Sequence, residues 1–218
     1  MSHNIIRKVP VVGVVVAIIL LAISTLQYAG DVHWTRVTVS LLCASELPNG
    51  DPNFGRGLPI AALLLLCSSM GLLFELISRL ADSRGQRKAI QIAGIGAMVY
   101  AFLTATPMHN LMVNIALVFF LIAILAIVNL LYRKRHFGLT IAGAGCIVLK
   151  LCSVSLYYMN AYAEIWGVLQ KLSFIVTTVW LVAVLQMVKP KANRGMKFGG
   201  TELADGEVAE TASALASR

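Results

Sequence analysis

The sequence predicts an all-α fold, a polytopic membrane bundle of six transmembrane helices with both termini cytoplasmic. Three observations predict it. Hydrophobic residues make up 58% of the chain and charged residues only 13%, with a mean hydropathy of +0.81, a composition that belongs in lipid. Apolar runs of about twenty residues recur, the length that crosses roughly 30 Å of hydrocarbon at 1.5 Å per residue. Finally, the basic residues fall in alternate connections between those runs, as retention of Lys and Arg on the cytoplasmic side requires.

The runs lie at 9–27, 58–80, 89–108, 111–132, 137–158 and 165–188. The first follows Arg7 and Lys8, as a secretory signal would. A signal core is only about 7–15 residues and ends in a small-x-small site. Here the run is longer and its exit is Gln27-Tyr28-Ala29, so it is expected to stay as a membrane helix. A long external loop at 28–57 follows, with the acids Asp31, Glu46 and Asp51. Pro48, Gly50 and Pro52 break regular structure there, while the apolar stretch 37–44 is suited to lie along the interface or fold back over the bundle as a lid. A plain solvated loop fits the same residues.

In the second run Glu75 precedes Arg79 by one turn and is expected to pair with it. The third run carries Ala89, Ala93, Ala97, Ala101 and Ala105 at a four-residue spacing, a smooth face for close helix packing or for a homo-oligomer. The fifth repeats the device with Gly138, Ala142 and Cys146, and the next residue in that row is Lys150. In the sixth, Glu164, Gly167, Lys171 and Thr178 form a polar row. Residues 1–8 read as a cytoplasmic N-terminus, 9–188 as the transmembrane domain, and the Gly-, Ala-, Glu- and Ser-rich stretch 189–218 as a disordered cytoplasmic tail.

With both termini inside, fourteen of the eighteen Lys and Arg residues are cytoplasmic, Arg36 and Arg56 are external, and Lys150 and Lys171 lie within the membrane. The net charge of +8 therefore reads as topology and attraction to anionic lipid, with no nucleic-acid partner implied.

Lys150 and Lys171 are the best pointers to a site, because a lysine at the centre of a membrane helix costs about 2.5–3.5 kcal/mol on insertion scales. Lys150 lies about eight residues, roughly 12 Å, from the outer end of its helix, too deep to snorkel easily. Lys171 is nearer the interface. His109, Asn110 and Asn114 gather on the same outer side, as do Tyr157, Tyr158, Asn160, Tyr162 and Glu164. The ligand-binding candidates are Lys150, Lys171, His109, Asn114, Glu164 and Glu46. A structural ion pair between the lysines and Glu46 or Glu164 is the plainer alternative.

No HExxH pair, phosphate-binding Gly-Lys loop or GxSxG elbow occurs. The cysteines Cys43, Cys67, Cys146 and Cys152 have no metal-ligand spacing, and the four histidines divide between the two sides of the membrane. No catalytic residue, metal or cofactor is expected.

The six-helix plan, the first-loop turn Ser45-Glu46-Leu47-Pro48-Asn49-Gly50, the Pro107-Met108-His109 entry to the fourth run and the Ala163-Glu164-Ile165-Trp166 entry to the sixth resemble family 998 of the domains of unknown function. That family is related to the FRAG/DRAM/Sfk-type membrane proteins, and the resemblance covers residues 8–188. The family often carries Asp-Leu-Gly or Asp-Thr-Gly in the first-loop turn. Glu46-Leu47-Pro48 stands there instead, so no role for that turn carries over. The family has no settled reaction, and its relatives are linked to lipid organisation, lipid-anchor processing and trafficking, which implies a lipid-related accessory role. Three readings follow: a non-catalytic lipid-binding or membrane-organising protein with a cationic pocket in the outer half of the bilayer; a small transporter of an anionic solute; and a lipid-modifying enzyme using His109 or Glu164 as acid or base. The partners expected are anionic membrane lipids, and the expected location is the cell membrane, plasma or bacterial inner.

Overall fold

Long apolar runs rich in Leu, Ile, Val and Ala satisfy their backbone groups internally only as helices, and helices are what the chain forms, α1 accommodating Pro10 within its length. The computed structural model of the chain describes residues 3–28, 37–47, 49–106, 108–159 and 163–188. The predicted tail at 189–218 and Asp31 lie outside the described residues. The helices are α1 His3–Leu26, α2 Val39–Cys43, α3 Gly57–Ser78, α4 Arg84–Leu103, α5 His109–Arg133, α6 Phe137–Tyr158 and α7 Ala163–Met187, with a 3-10 turn at Phe54–Arg56. Among the described residues the only β feature is an isolated bridge between Glu46 and Pro52.

Five helices are long and apolar enough to cross a membrane, over Arg7–Leu26, Phe54–Ser78, His109–Arg133, Phe137–Tyr158 and Ile165–Met187. The chain is accordingly an integral membrane protein. The run predicted at 89–108 is not among the five; its helix, α4, runs five residues earlier. The shift has a local cause. The Ser83 side chain accepts a hydrogen bond from the Gln86 amide and caps the helix, and Arg84, Gln86, Arg87 and Lys88 are good helix formers that carry little hydropathy. At its other end Thr104 Oγ1 donates to the Ala101 carbonyl, closing the last turn.

Helix α3 is the hub, packed against α1, α4 and α7; α4 packs on α5, α5 on α6 and α6 on α7. This closes a ring of α3, α4, α5, α6 and α7, with α1 outside it against α3. The two ends of the ring differ. At the end carrying the basic turns after α3 and α5, here the basic end, Leu73, Phe74, Ile77, Ile124, Ile127, Leu131, Leu181 and Leu185 form one buried core. Lys134 pairs with Asp82 at 3.5 Å, joining those two turns. Toward the opposite, loop end the packing loosens, and α5 has no buried residue before Ala123.

Close approach is set by small residues. A Cβ added at Gly94 of α4 would lie 2.3 Å from Phe74 Cγ of α3. The alanine row is occupied within the chain, since Ala93 joins the main core while Ala101 and Ala105 pack with Cys43, Leu63 and Cys67 in a smaller cluster at the loop end. The first loop is folded, not loose. Thr38 caps α2 by accepting from the Leu41 amide, and Asn53 Nδ2 donates to the Leu42 and Ala44 carbonyls, both at 3.1 Å. Helix α2 thus folds back on α3 and α4, the second of the two placements its composition allows.

Candidate functional site

Helices α6 and α7 meet along an antiparallel seam whose contacts step alternately by four and three residues, the spacing of a heptad seam. Gly143 faces Trp180, Lys150 faces Ser173 and Tyr157 faces Trp166, with ring centroids 5.2 Å apart. The same register sets Cys146 opposite Thr177 and Ser153 opposite Gln170. At the basic end the seam is tight. A Cβ on Gly143 would stand 2.4 Å from Trp180 Cζ2 and 2.8 Å from Val128 Cγ2 of α5. Because glycine leaves the α6 backbone bare, the indole lies across it and its Nε1 donates to the Leu139 carbonyl at 2.8 Å.

Toward the loop end the seam turns polar. Ser153, Ser173 and Thr177 are buried, and the Gln170 side-chain oxygen is buried with no hydrogen-bond partner among the described residues. Lys150 stands in this stretch. Its Nζ donates to Ser173 Oγ at 3.0 Å, and the Ser173 hydroxyl in turn donates to the Gln170 backbone carbonyl at 2.8 Å. The ammonium lies 4.1 Å from the centroid of the Phe174 ring and 5.8 Å from that of Phe120 on α5. No ion pair to Lys150 occurs among the described residues. Three helices therefore hold one ammonium with a hydroxyl and two aromatic faces, and two of its three N–H donors are left for something else.

The other expected residues are placed as follows. Lys171 is half-buried and precedes Ser173 by two residues, which sets it roughly 160° around α7 from the seam. It shares a row with Thr178, whose hydroxyl donates to Met70 Sδ of α3 at 3.8 Å. Lys171 thus leaves α7 on the side away from the seam that holds Lys150. Glu164 stands in the first turn of α7, and its side chain lies outside the described residues. Glu46 is exposed in the loop bridge with Pro52. The His109 ring nitrogen Nδ1 bonds the Thr104 carbonyl at 2.8 Å, which ties the start of α5 to the end of α4. Asn114 accepts from the Tyr158 hydroxyl, and Asn110 accepts from the Tyr157 hydroxyl at 2.9 Å. These two bonds lash the loop end of α5 to α6 above Lys150.

Glu75 meets Arg79 at 3.1 Å, the pairing expected of that spacing. Cys43 in the folded loop is buried, and burial pushes its thiol up to about 11. Among the described residues no group of His, Cys, Asp and Glu is arranged to hold a metal ion.

Ser173, Phe174, Phe120 and Gln170 were not singled out from the sequence. The signal that could have found them is the shared four-three spacing of small and polar positions in α6 and α7. Two such rows, read antiparallel, put Ser173 opposite Lys150.

No curated protein and no solved structure matches the chain. The model of the family described as "Protein of unknown function (DUF998)" matches residues 11–187, a stretch that begins in α1, ends with α7 and takes in the whole ring, the folded loop and the Lys150 seam. The chain belongs to the DUF998 family.

Proposed function

We propose that this chain is a non-catalytic six-span membrane protein, with both termini cytoplasmic, that holds an anionic lipid head group against Lys150 in the outer half of the cell membrane. The observation that carries the reading is the Lys150 ammonium, set between three helices with a serine hydroxyl and two phenyl rings about it and no described acid neutralising it. A charge kept in such a place attracts an oxyanion, and its spare N–H donors suit phosphate oxygens.

Topology supports the outer-half placement. Only short turns join α4 to α3 and to α5. A sixth crossing by α4 fits these short turns, since at 20 residues it is about 30 Å long. The basic turns then lie inside by the charge rule, and the polar half of the α6–α7 seam lies outside. The closed basic-end core favours holding a ligand over passing it through. The anion-transport reading would require Phe74, Ile127, Leu131 and Leu181 to separate.

Native mass spectrometry of the purified protein and its Lys150→Met variant tests the reading. Retention of an anionic phospholipid by the wild type and its loss from the variant is the expected result. Identical lipid profiles would reduce Lys150 to a packing residue, and Lys150-dependent uptake of an anionic solute into vesicles would replace holding with transport.

A further inference from the structure

A cavity of about 470 Å³ opens at the loop end between the close of α1 and the folded first loop. It is separate from Lys150, being walled by α1, α2, the loop and the start of α3. Among its described lining residues Asp51 alone carries a charge. Two aromatic residues face it from opposite elements, Tyr28 after α1 and Phe54 in the 3-10 turn, and Gln27, Leu42 and Pro59 supply an amide and apolar wall.

The polar groups are unequally occupied. Both Asn53 Nδ2 hydrogens are taken by the two loop carbonyls, and Ser24 Oγ donates to the Leu20 carbonyl at 2.8 Å. Tyr28 Oη, by contrast, is buried with no hydrogen-bond partner among the described residues. A buried hydroxyl without a partner is unfavourable, and an occupant of the cavity could supply one. Asp51 forms no ion pair among the described residues; one of its oxygens accepts from Asn49 Nδ2 at 2.7 Å.

We propose that this cavity binds an organic ammonium group, with Asp51 as counter-ion and the Tyr28 and Phe54 rings as cation–π faces. The chemistry excludes the alternatives in turn. An anion would face a carboxylate and no cation among the described lining residues. Calcium or magnesium takes about six oxygen ligands, carboxylates prominent among them, and Asp51 is the one carboxylate among the described lining residues. An alkylated ammonium is suited to aromatic faces and apolar walls together with one negative charge. Such a group is borne both by free choline or ethanolamine and by the head groups of zwitterionic phospholipids.

Saturation-transfer NMR on the purified chain in phosphatidylglycerol nanodiscs, with choline as probe and glycerol as control, tests the proposal. Transfer to the choline N-methyl protons well above the glycerol level is expected, falling about tenfold in Asp51→Asn and several-fold in Phe54→Ala. Phe54 is 93% exposed, so its truncation leaves the fold intact and guards against a collapsed loop as the cause. Adding phosphatidylcholine to the discs separates the sources: displaced choline means a lipid-borne ammonium occupies the site, and undisplaced choline means a free solute does. Choline transfer no greater than that of glycerol, or transfer unchanged in both variants, overturns the proposal.

Discussion

At Lys150 two kinds of partner replace the water that an ammonium gives up. A hydrogen bond to a charged group contributes about 1.5–3 kcal/mol and a desolvated aromatic face up to about 2, against an insertion cost of about 2.5–3.5. Ser173 and Phe174 therefore go far toward compensating the ammonium without cancelling its charge. Lys150→Met should leave the melting temperature within a few degrees of the wild type in detergent free of anionic lipid, because the lost contacts and the relieved insertion cost nearly cancel while Ser173 keeps its bond to the Gln170 carbonyl and nothing is orphaned. The same variant should lose the extra stabilisation that anionic lipid gives the wild type. A much lower melting temperature without lipid would mean that Lys150 holds the seam together. A second residue-scale prediction concerns Arg135, whose φ of 60° places a side-chain-bearing residue in the left-handed region that ends α5. The His136 amide bonds back to the Leu131 carbonyl and the Arg135 amide to Tyr132, a helix end that favours glycine. Arg135→Gly should stabilise by about 1 kcal/mol, read as a shift in thermal midpoint.

Among the elements, the dependence of α6 and α7 on a bare backbone at Gly143 can be tested by adding one methyl group. Gly143→Ala drives a Cβ into the Trp180 ring and Val128, neither of which is a loose side-chain end, so a loss of about 1–3 kcal/mol is expected. A thermal midpoint equal to the wild type would show that the indole is free to move aside. Helix positions themselves were largely legible from hydropathy. The predicted runs 58–80 and 137–158 coincide within two residues with α3 and α6. The start of α4 was not legible that way, because Arg84, Gln86, Arg87 and Lys88 enter the helix through the Ser83 cap and not through apolarity. The fold-back of α2 was half legible: the apolar stretch 37–44 said that it must be covered, and only the Asn53 bonds fix where.

For the molecule as a whole, the proposed six crossings make a labelling prediction. In a cysteine-free background, Ser83→Cys before α4 and Thr106→Cys after it should react with membrane-impermeant maleimide from opposite faces, Thr106→Cys from outside intact cells. Labelling of both from one face would mean that α4 lies along the membrane and that five helices cross. The candidate site was legible in one member only. Lys150 stands out because a charge in an apolar run is locally conspicuous, whereas Ser173, Phe174 and Phe120 are ordinary residues for a membrane helix and acquire meaning only when α5, α6 and α7 are brought side by side. Depth places Lys150 and Lys171 in the outer halves of successive helices and leaves open whether they converge. Rotation about α7, which sequence distance conceals, sets them apart.

The seam between α6 and α7 is dry at the Trp180 end and hydroxyl-lined at the Ser173 end, and such a closure has a direction in which to give way. Amides of 150–158 and 165–173 should exchange with deuterium faster than those of 139–146 and 177–184, and a bound head group should slow the first set alone. Uniform protection along both helices would refute this. Under the proposed lipid-holding role the pair would work as a clasp hinged on an indole, the strength of the grip at the open jaw set by the ligand while the hinge keeps the helices in register between one occupant and the next.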